Sequence, residues 1–218
     1  MKNKNLKNYK IIITAGGTQE PIDPVRYIGN RSSGKMGISI LKAALKTNCK
    51  VSFVYANITE QLPRGAYKKK YTPSAQDMYE TLKKEFTPNS ILIMAAAVAD
   101  FRVKKVQKNK IKKENHSSLN LELIPNRDIL KSLSRIKTNQ KLIGFAAESQ
   151  SLLENAQKKL KAKKLDMIIA NDISNPDIGF GSDFNQVYFI TKSGYFQSER
   201  ISKNKLGEMI LNSIQKLL

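Results

Sequence analysis

Between Lys10 and Gly37 the sequence runs KIIITAGGTQEPIDPVRYIGNRSSGKMG, and groups able to hold an anion crowd its second half: Arg26, Asn30, Arg31, Ser32, Ser33 and Lys35. Gly16, Gly17 and Thr18 precede them, and Gly34 lies among them. Guanidinium and ammonium groups pair with phosphate or carboxylate, and a carboxamide donates to a carbonyl oxygen. Such chemistry needs a fixed frame. The apolar run Ile11–Thr14 predicts a strand, and Gly16-Gly17-Thr18 a turn at which backbone can approach a ligand. Ser32-Ser33-Gly34-Lys35 then opens an amphipathic helix, offering hydroxyls, an ammonium and the free N–H groups of a helix start to a phosphate. Open α/β sheets bind ligands at the carboxyl ends of their strands, which is where the glycine turn falls. Residues 19–31 read as irregular and too charged for a mere connection, since ordinary loops have ~4–6 residues. A plain strand–helix unit with a decorated loop is the competing reading.

Two familiar nucleotide motifs are absent. No G-x-G-x-x-G follows the strand, so the dinucleotide fingerprint is missing. Gly29–Met36, GNRSSGKM, approaches a P-loop but has Met36 where Ser or Thr must hold magnesium, and it lies well downstream of the strand.

Further strands are predicted over 50–56, 90–96, 141–146 and 166–170 besides 10–15, and helices over 33–47, 74–86, 127–136, 151–164 and 203–217. That alternation implies an α/β fold, a Rossmann-like, doubly wound, mostly parallel sheet. The first helix sets Met36, Ile40, Ala43, Ala44 and Thr47 along one side. The helix over 151–164 buries Leu153, Ala156 and Leu160 and leaves Lys159 and Lys163 one turn apart. VYFIT and YFQSER around Lys192-Ser193-Gly194 read as a hairpin. Phe101–Leu123 breaks the rhythm with a lysine-rich tract and then the alternating Leu119, Leu121 and Leu123, which predicts a half-buried strand outside the parallel core.

The chain of 218 residues is read as one domain, 1–218, with no apolar run long enough to span a membrane. The single Cys49 has no internal disulfide partner, which suits a reducing, cytoplasmic setting. Thirty-eight basic against 18 acidic residues give a net charge of +20. Aromatics are not interleaved with the lysine runs at 68–70, 83–84, 104–105, 112–113, 158–159 and 163–164, so these read as solvated faces and not as a nucleic-acid platform. No Cys/His cluster or carboxylate cage suggests a resident metal, and His116 reads as solvent-exposed.

ITAGGTQEPIDPVRYIGNRSSGKMG, AAAVADFR, KIKK, NRDI, GFAAES and IIAND, in that order, resemble the signature segments of the phosphopantothenoylcysteine synthetases from about Lys10 to at least Ile190. That family joins 4′-phosphopantothenate to cysteine. CTP, in most bacterial members, activates the carboxylate as an acyl nucleotide, and the cysteine amine then displaces the nucleotide. The resemblance implies a ligase of coenzyme A biosynthesis with CTP as co-substrate, Mg2+ arriving with the triphosphate, and a homodimer. Because the chain starts at the synthetase strand, it resembles the stand-alone form, with a separate flavin-dependent decarboxylase as a possible partner.

The resemblance gives Arg26 and Asn30 the handling of the acyl intermediate, and an Asx turn is the alternative for Asn30. It makes the segment from Phe101 an antiparallel flap over the site and part of a dimer contact, with Lys110 reaching in. Gly16, Gly17, Thr18, Ser32, Ser33, Gly34 and Lys35 serve the phosphates. Ala96 and Ala97 let a ligand press on backbone, and Asp100 reads the base amino group or ribose, with an N-cap as the alternative. Asn126 and Asp128 match the family's Asn-Pro-Asp, with Arg127 in the proline position. Phe145 packs on the base or belongs to the core, and Lys159 and Lys163 approach the triphosphate. A Rossmann-like NAD(P)-dependent oxidoreductase and a basic RNA-binding protein are the readings from other classes.

Overall fold

Ile11, Ile12 and Ile13 are all fully buried, so neighbouring residues of one strand face apolar layers on both sides of a sheet. The structure, a computed structural model, describes residues 6–115, 118–148, 150–172 and 181–218. In chain order the elements are β1 (Lys10–Ala15), β2 (Gln19–Pro21), β3 (Tyr27–Gly29), α1 (Lys35–Leu45), β4 (Lys50–Tyr55), β5 (Lys68–Tyr71), α2 (Ala75–Glu85), β6 (Ser90–Met94), β7 (Phe101–Val103), β8 (Leu123–Pro125), α3 (Ile129–Ser134), β9 (Lys141–Glu148), α4 (Leu152–Ala162), β10 (Met167–Asp172), β11 (Phe184–Asn185), β12 (Val187–Thr191), β13 (Gly194–Gln197), β14 (Ile201–Ser202) and α5 (Lys203–Gln215). The main sheet has the order β13-β12-β10-β9-β6-β1-β4-β5. Its strands are parallel from β10 to β5, and the β12–β13 hairpin adds the antiparallel edge.

Alternate residues of each strand feed two cores. Ile11, Ile13, Phe53, Ile93 and Ile169 pack with α1 and α5 on one face. Ile12, Val54, Leu92, Leu142 and Ile168 pack with α2, α3 and α4 on the other. The chain leaves β1 for β4 and β5 on one side and returns to β6 on the other. The carboxyl end of β1 is therefore the topological switch point at which such sheets form a crevice.

The predicted strands and helices are all present, with helix ends drawn in by no more than two residues. Several details differ. Residues 19–31 are not irregular: β2 and β3 pair antiparallel across the Asp23 turn. Lys68, Lys69 and Lys70, read as a solvated run, form the edge strand β5. Lysines suit an edge, because they discourage a further strand from adding there. Leu153 is only half-buried, whereas Ala156 and Leu160 anchor α4. The half-buried strand expected from the leucine alternation shrinks to the short ribbon β7–β8, and Leu119, Leu121 and Leu123 are exposed. Cys49 is half-buried against the first core, and His116 lies outside the described residues.

Candidate active site

The turn after β1 fastens three loops together. Gly17 N–H donates to Asn57 C=O (3.0 Å), Asn57 N–H to Gly17 C=O (3.2 Å), Ala97 N–H to Gly16 C=O (2.8 Å) and Thr18 N–H to Ala97 C=O (3.2 Å). Thr18 Oγ1 accepts from Ala99 N–H (2.9 Å) and Thr14 Oγ1 from Ala96 N–H (3.0 Å). Thr18 is fully buried, so its hydroxyl serves the loop frame. The glycines are needed for the same frame. Gly16 has φ +82, and a Cβ there would lie 2.4 Å from Asn57 O; one at Gly17 would lie 2.7 Å from Asn30 O.

Around that frame lies a cleft of about 330 Å³, lined by Gly17, Asn30, Ser32, Asn57 and Thr59 among others. Its volume falls within the ~300–1,000 Å³ typical of small-molecule sites. Asn30 is exposed, and its Nδ2 donates to Val98 C=O (3.0 Å). The Asx turn considered for Asn30 is thus replaced by a contact across the cleft to the loop after β6. Helix α1 begins at Gly34, in a left-handed conformation (φ +79), with no side-chain cap. Lys35 N–H reaches Ser33 Oγ (3.4 Å), and the N–H groups of the rest of the first turn point towards the side from which an anion could approach a helix start. A larger depression of about 450 Å³ lies at the opposite, amino-terminal ends of the strands, beside Tyr9, Asn89 and Asn139.

Lys35 belongs to a neighbouring depression. Its Nζ donates to Asp183 Oδ1 (2.8 Å) and Gly181 C=O (3.1 Å), with Glu60 at 3.9 Å. The hydrogen bond from Lys35 holds the Asp183 carboxyl below its usual range, while Asp183 and then Glu60 hold the Lys35 ammonium charged against partial burial. Lys203 next to it is buried, and burial followed by the Lys35 charge pushes its pKa down.

The flap is tied to the β2–β3 hairpin. Gln107 N–H donates to Ile22 C=O (2.9 Å), Ile111 N–H to Asp23 Oδ2 (3.1 Å), and Arg26 Nη2 to Ile111 C=O (3.2 Å). These bonds seat Ile111, the residue after the exposed Lys110, on Arg26 and Asp23. Asp100 is exposed and caps no helix; its C=O accepts from Asn126 N–H (2.7 Å). Asn126 also donates through Nδ2 to Ala99 C=O (2.8 Å) and accepts from Arg102 at Oδ1 (3.0 Å), so its amide is engaged in joining the two strands' ends. Asp128 caps α3 by accepting from Lys131 N–H (2.9 Å) and pairs with Lys163 (2.9 Å). Lys159 pairs with Glu148 (2.5 Å). Arg127, in place of a proline, stacks 4.5 Å over the Tyr79 ring, which holds the turn by another means. Phe145 is half-buried against the first core.

The family described as DNA/pantothenate metabolism flavoprotein C-terminal domain matches residues 6–218. The chain belongs to this family. A Bacillus subtilis relative, the Coenzyme A biosynthesis bifunctional protein CoaBC, is 41% identical over 97% of the chain and 52% of its own length. The chain therefore spans about half the length of that relative. The solved C-terminal domain of a Coenzyme A biosynthesis bifunctional protein CoaBC is 35% identical, with a TM-score of 0.81 over 98% of both chains. A Cab2 variant solved in complex with phosphopantothenate-cysteine, at 18% identity and TM-score 0.73 over 97% of this chain and 87% of its own, shares the fold.

In this family member the predicted site residues fall into groups. Gly16, Gly17, Thr18, Asn30, Ser32, Gly34, Ala96 and Ala97 meet at the β1–β6 switch point, while Asp128, Lys159 and Lys163 cluster at α3 and α4. Ser33 borders the cleft through its C=O, which accepts from Thr59 N–H (3.1 Å). Reasoning from sequence missed Asn57, Glu148, Asp183 and Asp23. Asn57 and Asp183 stand in loops without periodicity or motif, and their partners are distant in sequence. Asp23 carried a local signal, Asp-Pro, typical of a turn whose carboxylate accepts neighbouring N–H groups. No helix of the described residues is long and apolar enough to cross a membrane. No group of three or more His, Cys, Asp or Glu among the described residues could hold a metal ion.

Proposed function

We propose that the chain is a ligase of coenzyme A biosynthesis that joins 4′-phosphopantothenate to cysteine at the expense of CTP. The phosphopantothenate carboxylate attacks the α-phosphorus of CTP, giving an acyl cytidylate and pyrophosphate. The cysteine amine then attacks the acyl carbon, loses a proton and expels CMP. Neither step needs a protein nucleophile; both need positioned cations and N–H donors. The observation that carries the reading is the contact of Arg26 with the backbone of Ile111, the neighbour of Lys110 in the chain, on the hairpin whose β3 borders the Asn30 cleft.

In this reading Asn30 Nδ2 and Arg26 serve the acyl carbonyl, and Lys110 meets the reacting carboxylate or α-phosphate. Ser32, Ser33, Lys35 and the start of α1 take phosphate groups. Lys159 and Lys163 exchange Glu148 and Asp128 for the triphosphate. Ala96, Ala97, Asp100, Asn126 and Phe145 border the nucleotide. The donor set suits an anion and not a bare cation, so Mg2+ would come with the triphosphate.

The reading makes residues 1–218 one cytoplasmic ligase unit that pairs as a homodimer and passes its product to a flavin-dependent decarboxylase. Exposed Phe101, Leu119, Leu121 and Leu123 around β7–β8 support such pairing. The test is an assay with phosphopantothenate, cysteine and each nucleoside triphosphate, following pyrophosphate. CTP-dependent release that requires phosphopantothenate is expected; no phosphopantothenate-dependent release with any of the nucleotides would reject the reading. No observation favours the oxidoreductase, because the chain leaves the glycine turn as a hairpin and not as a dinucleotide-binding helix.

A further inference from the structure

The Asp23 side chain is completely buried, yet it is a carboxylate in a loop. Four donors surround it. Oδ1 accepts from Val25 N–H and Arg26 N–H, both at 2.8 Å. Oδ2 accepts from Arg26 Nη1 (2.7 Å) and Ile111 N–H (3.1 Å). Burial alone would raise its pKa; the N–H groups of Val25, Ile111 and Arg26 and the guanidinium charge outweigh burial and hold it below its usual value. Two of the donors belong to the hairpin turn, one is the Arg26 guanidinium, and the last comes from the flap residue next to Lys110. A turn needs only the first pair. The second pair fixes a side chain three residues away and a backbone 88 residues away to the same oxygen.

From this we infer that Asp23 is the positioning residue of the site: its carboxylate locks the Arg26 guanidinium and the flap at Ile111 into one unit, so that Lys110 and Arg26 reach the reacting acyl phosphate together. This rests on the ligase reading for the roles of Arg26 and Lys110, but the lock itself is a property of the free chain. The geometry requires an acceptor at every contact. Asparagine has nearly the same shape but turns one of its two ends into a donor, which then faces either two backbone N–H groups or the guanidinium and Ile111 N–H. One pair of contacts is lost whichever way the amide lies.

Asp23→Asn tests the whole lock. Ile111→Pro removes the flap's N–H, with the Ile111 side chain, and leaves the hairpin's own donors to Asp23 in place, so it keeps the test open if the first variant folds poorly. Trypsin cleavage at Lys104, Lys105, Lys108, Lys112 and Lys113 is timed on the free chain, and pyrophosphate release is measured on the same samples. Cleavage about tenfold faster in both variants is expected, as a freed flap opens more often. For the reaction, kcat for pyrophosphate release should fall about tenfold or more, with the KM for cysteine unchanged. Adding Lys110→Ala to Ile111→Pro should cost no more than Lys110→Ala alone, since both remove the same contribution. Unchanged cleavage rates, or fully additive losses in the double variant, would overturn the inference. If the native chain makes no pyrophosphate, the ligase reading fails, and the cleavage rates still decide whether Asp23 holds the flap.

Discussion

Lys163 Nζ lies 2.9 Å from Asp128 Oδ2, so one ion pair joins α4 to the start of α3. One turn earlier on α4, Lys159 is held by Glu148, at the carboxyl end of β9, at 2.5 Å. Both ammonium groups are thus held in place before any nucleotide arrives, each resting on a carboxylate that a triphosphate can replace. Lys159→Ala and Lys163→Ala should each raise the CTP concentration for half-maximal rate by about tenfold, since a charge-assisted contact contributes ~1.5–3 kcal/mol. Their melting temperatures should barely move, because exposed ion pairs contribute only ~0–1 kcal/mol. Steady-state titration with CTP decides it: an unchanged requirement in both variants would return these lysines to the solvated surface.

Glu85 ends α2 beneath two strands, with Lys10 of β1 at 2.5 Å and Lys70 of β5 at 2.8 Å. Burial opposes its charge, but the hydrogen bonds from Lys10 and Lys70, the Lys10 charge and Ser52 bring its pKa from 4.5 to about 2. A depressed carboxylate stabilises the fold fully above its unfolded pKa and loses that contribution as pH falls through its folded one. The window is therefore pH 4.5 down to about 2. Glu85→Gln should cost about 2–3 kcal/mol at pH 7 and flatten the fall in stability across that window. Urea unfolding at a series of pH values is the measurement, and parallel curves for the two proteins would refute it.

Much of this frame could be read from residue order. β1, β4, β6, β9 and β10 announce themselves as apolar runs because both faces of the central sheet are covered. β5 does not, because its lysines lie at the edge and its stability comes from pairing with β4 and from Glu85, 15 residues beyond Lys70. Leu119, Leu121 and Leu123 mislead in the other direction. Alternation signals one apolar face, but it cannot tell whether the covering layer belongs to the same chain. The signature loop gave away its chemistry through Arg26 and Asn30, whereas the contacts that aim them, Asp23 to Ile111 and Asn30 to Val98, cross 88 and 68 residues. No local pattern encodes such distances.

Those exposed leucines lead to a prediction about assembly. Phe101 is 51% exposed, Leu119 47% and Leu123 44%, all on or beside one short ribbon. A surface of this kind on a second copy would bury them by self-matching about a two-fold axis. Leu121→Asp with Leu123→Asp should convert a dimer into a monomer, read by light scattering across concentration. A monomeric native chain would remove the basis for the dimer.

Asn30→Ala should separate the half-reactions. The carboxamide is exposed and makes one bond across the cleft, to Val98 C=O. Pyrophosphate release should persist at close to its native rate, while the cysteine step slows by about 100-fold, the scale of losing one oxyanion donor. The acyl cytidylate should then build up and be visible by mass spectrometry of the quenched reaction. Loss of CTP binding instead would place Asn30 at the nucleotide.

Gly37 tests how the cleft is held from behind. It lies on α1 against β1, where an added Cβ would be 2.4 Å from Ala15 Cβ and 2.8 Å from Thr14 O. On the far side of α1, Gly207 of α5 presses on Ser39, and a Cβ there would be 2.6 Å from Ser39 O. The helix is clamped between sheet and α5, so it cannot tilt to make room. Alanine improves helix propensity by ~1 kcal/mol. Overpacking a clamped core costs ~1–3 kcal/mol, and contacts this short fall at the upper end. Gly37→Ala should therefore destabilise by about 1–2 kcal/mol net, despite the better helix former. It should also lift the start of α1, with Ser32–Gly34, away from the cleft, raising the CTP requirement by more than the stability loss alone would. Gly207→Ala should destabilise to a similar degree, with a smaller effect on CTP, because it pushes α1 towards the sheet and not off it. Equal or greater stability for Gly37→Ala in thermal and urea unfolding would show that α1 has room to move, and the clamp would be withdrawn.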